Sequence, residues 1–533
     1  IFLNRWGVGG AVLLEPANRG DPGFQLGAEA GSFGTYGGWG SGRLRGGDLA
    51  SDGVEIVSSY SFRHGQSKND FTYRDDRGTG LNPDDDVTST RQNADWSYND
   101  AWALSQLSWR SRYGVSFLKM VANAYQREQG VASSALRQTT ESRSAYQREV
   151  FGLSGRFPCR IGNKGCRVEM ALSYLRARRV LSDPLGELYL SADSLAQVGQ
   201  RASASFGVTL DWDDELSTTL RASIEESFLN LNQPGQILND ASQEYMVATA
   251  DVQYRGWGPW EAVGAFRGSC QFGRAEGLDG DQQGQECRPE GRAGLLFRVT
   301  DSLQFRSNAQ YSLRYPTLAD RYGVSASVRG ADNLQSEKAW NFDLGAKWMS
   351  DAARWGSLHL DIAGFGRWTR DLIIYRRAAL GYVRPANEEQ ARFFGAEGAW
   401  GGELWNHLRL EGAASYTSAE VVDDDGQNRR VPYRARTLFS QGVEFFWSLP
   451  GGFWGEEAIG LQFNHRGNRT ADPAGLIIIP AANTLDIQFR QRLAFEHLVF
   501  RFRGQNLTGA SNFDFLGFPL PRQSFSASLE WLQ

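Results

Sequence analysis

Apolar and polar residues alternate one by one along this chain, in run after run, and that period constrains the fold more than any other feature. From Leu303 to Tyr315 one face carries Leu303, Phe305, Ser307, Ala309, Tyr311, Leu313 and Tyr315, and the other Gln304, Arg306, Asn308, Gln310, Ser312 and Arg314. A period of two is the mark of a strand with one greasy and one polar face. One such strand suits a soluble sandwich as well as a membrane barrel, so length and repetition must separate them. Trp340, Phe342, Leu344, Ala346 and Trp348 stand against Asn341, Asp343, Gly345 and Lys347. Leu498, Phe500 and Phe502 stand against Val499, Arg501 and Arg503. Ala202, Ala204, Phe206, Val208, Leu210 and Trp212 oppose Arg201, Ser203, Ser205, Thr209 and Asp211. This last run exceeds the roughly 5–6 residues of an average soluble strand and suits a tilted bilayer crossing of about 9–11 residues.

The connections point the same way. Short turns at Asp213-Asp214-Glu215, Thr300-Asp301-Ser302 and Phe495-Glu496-His497 interleave with long polar segments, about Gly65 to Trp96, Leu181 to Leu195, Gln271 to Arg288, Pro316 to Ser336 and Val421 to Arg430. That asymmetry belongs to outer-membrane barrels, whose periplasmic turns are short and external loops long. Trp212, Trp257, Trp260, Trp348, Trp355 and Trp405 fall near run ends, where an interfacial girdle wants them. The fold expected is therefore all-β: a transmembrane antiparallel barrel over residues 23–533, of about 22 strands. Register is least determined over the Gly-rich stretch Gly31 to Gly47.

Composition excludes several alternatives. Gly numbers 61 and Trp 17 of 533 residues, which favours short turns and strands over helices. The longest apolar stretch, around Leu476 to Ile479, is far short of the roughly 18 residues of a spanning helix. Net charge is -5 with no basic stripe, so no nucleic-acid partner is expected. The sequence opens at Ile1 without a charged segment leading into an apolar one, and an export signal is expected to have been removed. Cys159 with Cys166 and Cys270 with Cys287 form two close pairs, each flanking a polar Gly-containing segment. Two local disulfides of an oxidising compartment are expected, the first at a periplasmic turn and the second at an external loop. The alternatives are four free thiols or a metal site, and no His lies close to either pair.

Chemistry-bearing constellations are sparse. His64, His359, His407, His465 and His497 show no metal-ligand spacing, and no Ser, His and carboxylate grouping is brought together, so neither a metal site, a cofactor nor an enzyme is expected. Asp84-Asp85-Asp86 and Asp423-Asp424-Asp425 offer hard oxygens for Ca²⁺ without a spaced ligand pattern, and solvated acidic loops are the preferred reading. Arg306, Arg314, Arg367, Arg501 and Arg503 fall on the inner face, either guiding an anionic ligand or lining a polar lumen. Tyr315, Tyr322, Trp368 and Tyr382, near external loops, are with Arg314 the candidate ligand contacts, against the plainer reading of a girdle.

Several segments resemble the TonB-dependent receptor family. GVGGAVLLEP, Gly7 to Pro16, resembles the last strand of that family's plug domain, and GFQLGAEAGSFGTYGG from Gly23 its first barrel hairpin. YPTLADRYG, Tyr315 to Gly323, with NLQSEKAWNFDLG, Asn333 to Gly345, resembles its Pro-containing external loop and Asn-Leu-x-x-Glu entry to the next strand. ANEEQARFFGAEG, Ala386 to Gly398, and NLTGASNFDFLGFPLPRQSFSASLEW, Asn506 to Trp531, resemble a later strand and the C-terminal pair. Such barrels usually end on an aromatic residue, whereas Leu532 and Gln533 follow Trp531. The resemblance implies a 22-stranded barrel in the outer membrane of a Gram-negative cell, among outer-membrane lipids and lipopolysaccharide. Residues 1–22 would be the remnant of a plug and its linker. The implied function is energised uptake of a scarce ligand of the siderophore, cobalamin or glycan class, driven by a TonB-type transducer if a plug is present. A lumen so wide must be filled, by a plug encoded in the same protein or by a separate chain. A plugless barrel serving as a structural subunit of an envelope complex is the alternative.

Overall fold

In a computed structural model the described residues are 23–48, 52–66, 70–75, 87–92, 97–111, 116–131, 139–187, 194–232, 238–277, 282–325, 328–350, 355–377, 383–422, 426–448, 454–471, 475–493, 497–510, 513–515 and 518–533. Residues 1–22, with the expected plug remnant, lie outside them, as do the two Asp runs and Tyr382.

Twenty-two strands among the described residues pair antiparallel into one closed barrel. The first eleven are β1 (Gly23–Gly31), β2 (Thr35–Asp48), β3 (Asp52–Gln66), β4 (Ser97–Ser111), β5 (Ser116–Gly130), β6 (Arg143–Ile161), β7 (Lys164–Ser182), β8 (Ser194–Asp211), β9 (Leu216–Asn232), β10 (Leu238–Trp257) and β11 (Trp260–Gly277). They continue as β12 (Gln282–Arg298), β13 (Leu303–Arg314), β14 (Glu337–Met349), β15 (Gly356–Arg377), β16 (Val383–Leu404), β17 (Leu408–Val422), β18 (Thr437–Ser448), β19 (Trp454–Arg466), β20 (Ala482–Leu493), β21 (Leu498–Gln505) and β22 (Ser524–Leu532). The last strand returns to the first, in register from Gln25 opposite Leu532 to Gly31 opposite Ser526. Gln533 extends the seam by one further step: its amide donates to Phe24 O at 2.9 Å, and Phe24 N donates to Gln533 O at 3.1 Å. Closure leaves no edge, which is what lets a sheet stand in hydrocarbon with its backbone satisfied.

Alternation becomes inside and outside. The strand β1 alternates half-buried and exposed at every residue. Leu344 is 66% exposed and Phe266 62%, so the outer face is apolar side chain with nothing packed on it, the arrangement a lipid environment rewards and water does not. The inner face is polar and internally paired. Arg306 forks onto Asp361 at 2.7 and 2.8 Å, Asn308 donates to Asp343 at 2.8 Å, and Arg501 pairs with Glu530 at 2.5 Å. Exposed Trp212, Trp260, Trp348, Trp355 and Trp405 ring the short-turn end, joined by Trp109, Trp454 and Trp531; the side chain of Trp257 lies outside the described set. Trp340 and Trp348 mark the two rims on β14. Eight residues at about 3.3 Å each, tilted roughly 40°, span roughly 20 Å, near the ~25 Å apolar band of such barrels.

The strands outrun the sequence-based loops. Gln271 to Arg288, expected as an external loop, is mostly strand, and only 278–281 separate β11 from β12. Above the membrane both faces of a strand meet water or lumen, so alternation fades although pairing continues. Asp70–Asp75 pairs with Val87–Gln92 inside the 65–96 segment, and Asn428–Arg430 pairs back on β17. Both cysteine pairs are direct cross-strand neighbours joined as disulfides, Cys159–Cys166 beside a two-residue turn at the short-turn end and Cys270–Cys287 high on the β11–β12 hairpin.

Candidate functional site: the extracellular mouth

The segment between β13 and β14 does not stand out from the barrel as a free loop. Within it, helix α1 (Leu318–Tyr322) packs Leu318 against Leu229, Ala241 and Ala275, with Tyr322 alongside. Leu220, Ile224, Phe228 and Met246 are exposed on the outer face of β9 and β10; by alternation Leu229 and Ala241 point inward, so the helix lies in the mouth of the lumen. A capping box starts it: Thr317 Oγ1 accepts from Asp320 N at 3.2 Å, while Asp320 Oδ2 accepts from Thr317 N at 2.9 Å. Such a box satisfies donors that a short helix would leave unpaired. Gly323, at φ 79, ends the helix in a conformation that favours glycine.

Asp320 does more than cap. Its carboxylate also accepts from Arg314 at 3.0 Å and from the Tyr375 hydroxyl at 2.7 Å. Arg314 in turn reaches Glu337 at 2.9 Å, and Glu337, 3% exposed, accepts from Ile373 N at 2.8 Å. Asn387 clips the far end of the segment: its Oδ1 accepts from Gln335 N at 2.9 Å and its Nδ2 donates to Gln335 O at 3.0 Å and Asp371 O at 2.7 Å. Ala331, Leu334 and Ile373 bury one another beneath it. The Glu of Asn-Leu-x-x-Glu and the Asn of the Ala386 segment are thus the two polar pins that fasten this loop to the wall.

The near end is held from within. Pro316 O accepts from Gln243 Nε2 at 2.9 Å and from Gln271 Nε2 at 3.0 Å. Tyr315 donates to Ser269 O at 2.9 Å and meets the Tyr245 ring edge-on at 5.6 Å. Burial pushes its phenol up to about 12, the Ser269 hydrogen bond opposing and Tyr245, Glu286 and Glu290 adding to the rise, so the hydroxyl stays protonated. Burial likewise raises Tyr322. Behind them Arg267 and Glu290, 1% and 2% exposed, pair at 3.3 Å, and Glu290 accepts from Ser269 Oγ at 2.9 Å and Leu313 N at 3.2 Å.

Of the candidate ligand contacts, Arg314 and Tyr315 are therefore parts of the frame that holds the loop, and Tyr322 lies half-buried beside Leu318 in the same mouth. Trp368 is elsewhere, on the outer wall, edge-on to Phe342 and Phe394. Sequence reasoning missed Arg267, Glu290, Asp320 and Tyr375. Only Asp320 carried a readable signal, the Thr-x-x-Asp spacing. Lower on the inner wall a concavity of about 650 Å³ is lined by Arg306, Asp361, Glu397, Ser440, Asn464 and Thr484 among others. Among the described residues no group of His, Cys, Asp and Glu has the geometry of a metal site.

Residues 19–507 match the family described as TonB dependent receptor-like, beta-barrel. A curated relative, the metal-pseudopaline receptor CntO of Pseudomonas aeruginosa, is 27% identical over 210 residues, which is 38% of this chain and 27% of that protein. The match thus spans about a quarter of that relative's length. Among solved structures the copper transporter OprC superposes with a TM-score of 0.74 at 15% identity, over 97% of this chain and 81% of that one. The FrpB iron transporter from Neisseria meningitidis (F3-3 variant) gives 0.74 at 11%, over 97% and 82%. The ferric preacinetobactin receptor BauA from Acinetobacter baumannii gives 0.70 at 12%, over 96% and 80%. At such identities the superpositions speak for the fold, while the family match covers most of the chain. This outer-membrane barrel belongs to the TonB-dependent receptor-like β-barrel family.

Proposed function

We propose that the barrel is the wall of an energised importer that takes a metal chelate from outside the cell. The observation that carries the reading is the loop folded into the mouth: a pinned, half-buried ceiling over a polar lumen is suited to receive a ligand and hand it inward. The names of the relatives favour a chelated metal over cobalamin or a glycan. In this reading Arg314, Tyr315 and Asp320 position the loop, and Tyr322 with neighbouring residues of the mouth meets the ligand. Residues 1–22 join a plug to β1, and a TonB-type transducer acts on that plug.

Uptake of a radiolabelled metal chelate by cells producing the full-length protein tests this. Accumulation should depend on the protein, on the transducer and on the proton-motive force. Uptake indifferent to all three, for every chelate tried, overturns it.

A further inference from the structure

Outside the lumen, five neighbouring strands carry a second polar feature, on the side that faces lipid. An aromatic shelf runs across β13 to β16: Tyr311 lies 5.0 Å from Trp340, Phe342 is edge-on to Trp368 at 5.7 Å, and Trp368 is edge-on to Phe394 at 5.0 Å. Trp340, Phe342, Trp368 and Phe394 are 52, 43, 42 and 42% exposed. Immediately above the shelf, toward the long-loop end, a row of cations shares this face. Lys338 stands opposite Arg370, Arg392 opposite both Trp368 and Glu420, and Glu420 opposite Arg430.

Their partners distinguish them from the guanidiniums of the mouth. On the inner face Arg306 has Asp361, and Arg314 has Glu337 and Asp320. On the outer face Lys338 holds Asp371 at 2.9 Å, and Glu420 accepts from Ser418 at 3.2 Å. Arg370 and Arg392 are exposed, and among the described residues no ion pair, hydrogen bond or ring contact engages either. Four cations against two carboxylates leave two positive charges at the outer rim of the apolar band. Arg prefers flat, bidentate contact with phosphate. Rings at an interface accept acyl chains. A soluble phosphate would use the cations and gain nothing from the shelf, whereas a lipid whose phosphate sits just above its chains uses both.

We propose that Arg370 and Arg392, with Lys338 and Arg430 flanking, form a binding site for a phosphorylated glycolipid of the outer leaflet, its phosphate on the guanidiniums and its acyl chains on Trp340, Trp368 and Phe394. The inference rests on the outer-membrane location and not on import, so lipid binding and uptake can fail independently.

The full-length protein in mild detergent is titrated with lipid A and the bound lipid counted by native mass spectrometry. Arg370→Gln with Arg392→Gln should weaken binding at least tenfold, and lipid A stripped of its phosphates should bind the unaltered protein as weakly. Arg176→Gln with Arg178→Gln, on a distant part of the rim, should change it less than twofold. Heat-modifiable migration establishes that each variant is a closed barrel. Equal binding by the Arg370 and Arg392 variant, equal binding of the dephosphorylated lipid, or full displacement by millimolar inorganic phosphate overturns the proposal.

Discussion

Arg267 and Glu290 show why a charge so deep in the wall is kept. Each is almost fully buried, and removing one partner of such a pair costs about 3–5 kcal/mol because the other charge is left in a poor solvent. Glu290 also receives Ser269 and Leu313, so its loss should be felt at the root of the mouth loop. Glu290→Ala is expected to speed hydrogen exchange of the amides around Leu313 and Tyr315 by roughly 100-fold, the equivalent of about 3 kcal/mol, while exchange in β20 to β22 is unchanged. A second carboxylate acts at the surface. Burial pushes Glu187 up, but hydrogen bonds from Thr140, Glu141 and Ser142 outweigh it and lower the group to about 2. The five contacts, 2.7 to 3.1 Å long, clasp 140–142 to the segment after β7. A carboxyl depressed below its unfolded value of about 4.3 contributes stability that is complete above that value and is lost as pH falls through about 2. Carboxyl NMR of labelled Glu187 should give a midpoint near 2, and a midpoint above 4 would remove the clasp from the account.

At the scale of elements, α1 is too short to stand alone, since nucleation is unfavourable and five residues gain little from propagation. It is held by its cap, by Leu318 and by the Arg314, Asp320 and Tyr375 contacts. Asp320→Asn keeps the shape and removes the charge both neighbours use. Trypsin should then cut after Arg321 at least several-fold faster than in the unaltered protein, read from fragment masses, with Tyr375→Phe intermediate. Unchanged cleavage would mean that Leu318 and the Asn387 clip hold the loop without Asp320. The two motifs on either side, Asn333 to Glu337 and the Ala386 segment, were legible as strings, but their role as pins was not, because Glu337 and Asn387 come together only when β14, β15 and β16 are side by side.

At the scale of the molecule the barrel depends on one seam between chain ends. Gly27 lies under the Trp39 indole, and a Cβ there would fall 2.3 Å from ring atoms. Trp39 Nε1 donates to Glu530 at 3.4 Å, and Glu530 holds Arg501, so ring, carboxylate and guanidinium stitch β2, β22 and β21 across the closure. Gly27→Leu should therefore block closure, seen as loss of the heat-modifiable band and of assembled protein in the membrane, whereas Ala28→Leu, on the outer face of the same strand, should assemble. Equal assembly of the two would show that the seam tolerates displacement of Trp39.

The sequence by itself determined what repeats locally: that the chain is all-β, which face of the alternating runs meets lipid, about how many crossings are made, and which cysteines are neighbours. Side chains two apart on a strand share a face whatever surrounds them, so composition and period suffice for these features. Only the tertiary structure decided how far the strands run beyond the lipid, that the 315–336 segment turns inward, and which arginines are paired. Strand length above the membrane follows from a neighbour's register, and Arg314 is paired because Asp320 and Glu337 reach it across the fold, whereas among the described residues Arg392 engages no carboxylate although Glu420 stands opposite it. Those are distances across the barrel wall, and no local period encodes them.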